Sequence, residues 1–227
     1  MPDTPPVHHQ DEAGYRAIIR SRVRDWDRRV HPLHVFGGRP LLDAELPVSS
    51  LTDRAIPLGL DLDLSDPRLA ALGIQGLRRL AILAPFGIEP DPDASLAIRH
   101  LDGGQRLELV TDLTGRLTHD VPELPQLPVE LEAISEAEAA VESVDEMPEG
   151  GLDLHQVGGR PLWVGKPIEA PRCPVTGERM RFIASLASIR RFPLAHDDMA
   201  LSFGNEGMLY VYWSRAAAMT VALVQGR

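Results

Sequence analysis

The chain has 227 residues, 44% hydrophobic and 25% charged, with a formal net charge of -10. That length fits one domain or two small ones, and the apolar fraction suffices for a sizeable core. The acidic balance argues against nucleic acid as a partner, while the single cysteine, Cys173, leaves no intramolecular disulfide and fits a reducing, cytoplasmic setting.

The opening stretch, "MPDTPPVHHQDE", has neither the basic nor the apolar segment of a secretory leader. Residues 1–10 read as a disordered tail, and His8–His9 as no more than a weak adventitious metal binder. Residues 11–29 read as a helix, because Tyr15, Ile19, Val23 and Trp26 recur at helical spacing. His31-Pro32 ends it. The basic cluster at 21–29 is interrupted by Asp25 and Asp27 and reads as a solvated helix face. From residue 33 short runs are broken by Gly and Pro. Strands are expected at 33–36, 55–60, 78–84, 95–101 and 105–112, then at 152–157, 180–186, 199–203, 208–213 and 220–225. "DGGQ" (102–105) and "GNEG" (204–207) mark hairpin turns. "DPRLAALG" (66–73) predicts a short helix with Asp66 as N-cap and Pro67 in first position. The acidic stretch 122–151 reads as a connecting helix over 129–143, with a mobile linker as the alternative. The longest mainly apolar run, 216–224, is far below the ~20 residues of a membrane helix, so no membrane partner is expected.

One phrase occurs twice: "HVFGGRPL" at 34–41 and "HQVGGRPL" at 155–162. The expected fold is therefore α+β, mainly antiparallel β, with an internally duplicated β-rich unit, an N-terminal helix and a connecting helix. It forms a single domain over 11–227, with half-repeats at about 31–121 and 152–227 joined by 122–151. In this alignment the strand at 77–86 corresponds to 180–189, and 61–76 is an insertion in the first half. Gly-Gly permits a positive-φ turn and Pro fixes the exit. The phrase has a structural reading, in which His and Arg brace the junction between repeats. It also has a functional one, in which His34, Arg39, His155 and Arg160 form a pseudo-symmetric site for an anion, with Trp163 and Tyr210 lining the groove.

"HQVGGRPLWV", "CPVTGERMRFIAS" and "GNEGMLYVYW" together resemble the YwqG-like family, a bacterial domain family without an assigned activity. The matching positions are His155, Gly158, Gly159 and Pro161; Cys173, Pro174 and Gly177; Phe182 and Ile183; and Gly207 to Val211. The resemblance covers 152–213 and implies a mainly β fold with an internal duplication and some association with toxin–immunity systems. Thr176 stands where relatives carry a second cysteine, so no structural zinc is expected and Cys173 reads as a small residue in a tight turn. No cofactor is expected.

Asp61, Asp63 and Asp66 lie close in sequence but lack the EF-hand pattern; they read as a solvated edge strand. "AHDDM" (195–199) sets His196 beside Asp197 and Asp198, yet neighbours in sequence rarely face each other. Nucleophile-elbow and phosphate-loop motifs are missing from the sequence. The expected function is a non-enzymatic binding or interaction protein, an immunity-like partner of a basic protein. The alternatives are a small-anion-binding domain or unrecognised enzyme using an inter-repeat cleft, and a regulator that dimerises through a sheet edge. The expected state is a monomer or homodimer.

Overall fold

A computed structural model of the chain describes residues 13–20, 33–120, 123–144, 154–189, 201–204 and 207–226. The described residues form fifteen strands: β1 (Gly14–Ile19), β2 (His34–Phe36), β3 (Val48–Ser49), β4 (Arg54–Ala55), β5 (Leu58–Asp63), β6 (Arg79–Leu83), β7 (Ile88–Pro90), β8 (Ser95–Leu101), β9 (Arg106–Thr111), β10 (Gly115–Leu117), β11 (Leu127–Ala133), β12 (Gln156–Gly158), β13 (Arg181–Ala187), β14 (Met208–Ser214) and β15 (Met219–Gln225). Eleven of them form one curled antiparallel half-barrel sheet, in the order β6-β5-β2-β11-β1-β12-β13-β14-β15-β8-β9. The pairs β3–β4 and β7–β10 form two small sheets of their own. The expected α+β class, with its N-terminal and connecting helices, is corrected to a mostly β fold.

The N-terminal helix fails because the same residues carry a second period. Tyr15, Ala17 and Ile19 alternate along β1 and turn to the main core. Arg16 and Arg20 pair with acidic residues instead: Arg16 with Glu138 at 2.8 Å, Arg20 with Glu130 at 2.6 Å and Glu132 at 3.0 Å. Over six residues, burial on a sheet outweighs a helical stripe. The 21–29 part of the expected helix, the 1–10 tail and "AHDDM" lie outside the described residues. The connecting helix also gives way. Val129 and Leu131 bury one face of β11, and only one helical turn, α1 (Glu136–Ala139), follows. Ser135 and Glu138 close a capping box at its start. The short helix after Asp66 is present as a 3-10 helix over Pro67–Leu72, with Asp66 capping the Arg68 N–H. "DGGQ" turns between β8 and β9, and its 3-10 turn lies against β6: a Cβ on Gly104 would meet the Arg79 carbonyl oxygen at 2.7 Å. Of the expected 199–203 strand, only isolated bridges at Leu201 and Phe203 are described.

The registers on the two sides of β1 and β11 correspond. At the centre Ile18 faces Glu130, with Ala17 opposite Leu131 and Ile19 opposite Val129. Outward, Phe36 faces Leu127 and Leu60, just as Val157 faces Tyr15 and Ala184. The strands beyond are irregular at matching positions: β5 against β6 between Leu58 and Leu60, and β13 against β14 between Phe182 and Ala184. Thus β5 corresponds to β13 and β6 to β14. The expected match of 77–86 with 180–189 is off by one strand. Residues 61–63 are no insertion; they belong to an inner strand.

Both faces of the sheet are buried near β14. Leu209, Val211 and Trp213 join the main core, while Met208, Tyr210 and Tyr212 join a second one with Trp163, Val164, Cys173 and Met180. Such two-sided cover accounts for the nearly continuous apolar sequence "MLYVYW".

The repeated glycines sit tight against a neighbouring strand. Gly37 has φ +68, and a Cβ there would meet the Pro125 carbonyl oxygen at 2.5 Å; Gly159 has φ +68, and its Cβ would meet Gly14 Cα at 2.8 Å. Gly177 has φ +73 with nothing within 4 Å. Gly177→Ala is therefore expected to cost about 1 kcal/mol, and Gly37→Ala at least about 1 kcal/mol more. Urea unfolding of the two variants measures the difference; equal costs would contradict the close packing.

Candidate functional site

The six residues expected to line a site are not brought together. His34 is buried; its Nδ1 accepts the Asp63 N–H at 3.2 Å, which places the ring proton on Nε2, 2.9 Å from Asp66 Oδ2. His155 occupies the corresponding position, buried, with Nδ1 accepting the Ala187 N–H at 3.1 Å. Its ring lies 6.4 Å from that of Phe36, inside the main core. Arg39 is exposed beside Glu123 and Gln126, whose Nε2 donates to the Arg39 carbonyl at 3.0 Å. Arg160 turns to Glu142 at 3.2 Å, and its carbonyl accepts from Gln156 at 2.6 Å. β2 and β12 run antiparallel across the two central strands, so the turns that follow them leave opposite ends of the sheet. Trp163 stacks on Tyr210 in the second core, with ring centroids 4.8 Å apart. The Tyr210 hydroxyl donates to the Leu162 carbonyl at 3.0 Å and accepts the Val164 N–H at 2.9 Å.

The acidic run 61–66 is also committed internally. Asp61 is buried on an inner strand, which corrects the expected solvated edge. Arg79 donates to Asp61 at 2.8 Å and to Asp63 at 3.1 Å, and the Leu41 N–H reaches Asp61 at 2.7 Å. A buried carboxylate is tolerated because the next strand delivers this cation. Arg68 holds the Asp66 carboxyl well below the usual carboxylate range. Cys173 is buried in a turn closed by the Gly177 N–H on its carbonyl at 2.8 Å. Burial pushes its thiol up, but hydrogen bonds from Ser214, Thr176 and the backbone of Thr176 and Val175 outweigh this and lower it. Among the described residues, no three His, Cys, Asp or Glu side chains cluster in a way that could hold a metal ion. No helix among them is long and apolar enough to cross a membrane.

The candidate site lies elsewhere, in a cleft of about 470 Å³ counted out to its open mouth. Ile56, Phe86, Ile88 and Leu113 are its buried apolar lining. Both small sheets border it: β3 and β4 supply Ser49, Arg54 and Ala55, while β7 and β10 supply Ile88 and Leu117. Val48, beside Ser49, is 55% exposed and Leu117 is 43% exposed. Asp112 ties the β3 wall down: its Oδ2 accepts from the Ser50 N–H at 2.6 Å and from the Ser49 and Ser50 hydroxyls at 3.1 and 2.7 Å. Arg54 and Asp120 meet across the mouth at 3.4 Å, both more than half exposed. Sequence reasoning missed this cleft. Its residues are scattered from 49 to 120, and the one local sign, an apolar Leu117 between Arg116 and Thr118, is common on surfaces.

No family model, curated protein or solved structure matches the chain.

Two properties of these side chains are measurable. Burial lowers His100 and His155 to about 4, and lowers His34 in the same direction. The unfolded chain takes up these protons near 6.5 while the folded chain resists until about 4, so stability is full above 6.5 and falls as pH drops through that window. The expected loss is roughly 3 kcal/mol for each of His100 and His155, read from urea titrations at successive pH values; a flat profile would contradict it. Tyr210→Phe leaves the Val164 N–H without its acceptor and is expected to cost about 1–3 kcal/mol. Among the described residues the buried Tyr212 hydroxyl has no hydrogen-bond partner, so Tyr212→Phe is expected to be neutral or stabilising in the same urea titrations.

Proposed function

We propose that this chain is a non-enzymatic binding protein of the YwqG-like type, built on a duplicated β-rich unit, that acts as the partner of another protein in a reducing, cytoplasmic compartment. An immunity-like role opposite a basic protein fits this reading. The observation that carries it is the internal commitment of the chemistry-bearing side chains. His34, Asp61, Asp66 and Tyr210 spend polar atoms on backbone groups, on one another or on Arg68 and Arg79, and His155 spends its Nδ1 on the Ala187 N–H. A general base or nucleophile must keep an atom within reach of substrate, whereas these are sealed in two cores. What faces solvent is an apolar cleft with a charged rim, the kind of feature that partners bury. The net charge of -10 favours a basic partner. The duplication draws support from the matching registers and irregularities of β5–β6 and β13–β14. The compartment draws support from the single cysteine, Cys173, which is buried and unpaired.

Native mass spectrometry of gently purified protein, with a denatured control, tests the reading. A retained polypeptide of defined mass, released on denaturation, is expected. A retained small molecule that disappears when Arg39 and Arg160 are both replaced by alanine would overturn it in favour of an anion-binding domain.

A further inference from the structure

We propose that the cleft between the two small sheets docks one aliphatic side chain of a partner polypeptide, with a basic residue beside it in the partner's sequence. This rests on the binding-protein reading and gives it a site and a chemistry.

The aliphatic half follows from the walls and floor. Ile56, Phe86 and Leu113 are buried beneath the opening, yet Leu117 in its wall holds much of its surface in water. Leu117 is one of four exposed large hydrophobic residues described, and it lies at this cleft. An aliphatic group seated against Leu117 removes apolar surface of both from water. The polar groups near the floor are poor anchors for a small polar molecule, since the Ser49 hydroxyl already donates to Asp112. The walls are also short. β3 and β4 have two residues each, and β7 and β10 three, which suits one side chain rather than a length of extended chain.

The basic half follows from charge. The rim carries two carboxylates, Asp112 and Asp120, against one guanidinium, Arg54. Asp112 is occupied by Ser49, Ser50 and the Leu113 N–H. Among the described residues, Asp120 makes a single side-chain contact, the exposed one with Arg54. A pair of that kind contributes little in water, so Asp120 can exchange Arg54 for an incoming cation. The cation arrives against a chain of net charge -10, which repels an anion at the same place.

The test is an amide-resolved NMR titration of the full chain with three blocked dipeptides: acetyl-Leu-Arg-amide, acetyl-Leu-Glu-amide and acetyl-Gly-Arg-amide. The Leu-Arg peptide is expected to shift the amides of Ile56, Ile88 and Leu117 and to bind about fivefold more tightly than either other peptide. Asp120→Asn, at an exposed position, is expected to erase most of the preference for Leu-Arg over Leu-Glu. Arg54→Gln frees Asp120 and is expected to raise affinity for Leu-Arg, so a second variant with the opposite sign guards against a folding artefact. Equal binding of all three peptides, no shift with any of them, or unchanged selectivity in both variants would overturn the proposal. Shifts confined to another surface would sink this cleft while leaving the binding-protein reading intact; that reading fails separately, if native mass spectrometry finds a small molecule instead of a polypeptide.

Discussion

The antiparallel pairing of β1 with β11, centred on Ile18 opposite Glu130, is the constraint on which the main sheet depends. Each strand precedes one copy of the repeated phrase in sequence, yet pairs with the other copy. β1 leads into β2 but bonds to β12; β11 leads into β12 but bonds to β2. The halves are therefore laced through each other. Neither can bury its apolar face or complete its ladder without a strand from the other, which makes the sheet one cooperative body. The Gly-Gly turns belong to the same constraint. They bring the backbone onto the start of the exchanged strand at a separation that no side chain allows.

The second theme is polar burial in compensated sets. The repeated histidines each use Nδ1 to accept a backbone N–H at the end of the neighbouring strand, Asp63 in one case and Ala187 in the other. Beyond that shared contact the halves diverge. Where the second half has Ser185 and Met208, the first has Asp61 and Arg79, joined as a buried ion pair. The first half thus spends a charged pair where the second packs a small and an apolar side chain. In both arrangements the histidine is out of contact with solvent, and burial lowers its pKa.

Much of the strand content was legible. The runs at 78–84, 95–101, 105–112, 180–186, 208–213 and 220–225 have the short apolar texture that strands need, and the Asp66-Pro67 start fixed the short helix. The errors have a common cause. Tyr15 and Ile19 satisfy a period of 3.6 and a period of 2 equally well, and only the position of β1 between β11 and β12 decides between them. Leu131 in β11 is the same case. Asp61 looked solvated because its cation, Arg79, lies on another strand. The repeated phrase was visible, but not that the strand ahead of each copy pairs with the other copy: β1 bonds to β12 and β11 to β2. The cleft was illegible for the plainest reason: its walls come from two small sheets that exist only after the chain has folded around the main one.

The lacing of the two halves has a consequence for synthesis on the ribosome. Strand β1 leaves the exit tunnel early, but the strands that flank it, β11 and β12, end at Ala133 and Gly158. At roughly 5–20 residues per second, a nascent chain holds β1 without its neighbours for on the order of ten seconds. The β3–β4, β5–β6 and β8–β9 pairs can form from local sequence in that interval, but the central ladder cannot. The emerging polypeptide therefore carries unsatisfied strand edges until β11 and β12 have been made, and the pace of elongation across the acidic stretch between them sets how long other nascent chains can reach those edges.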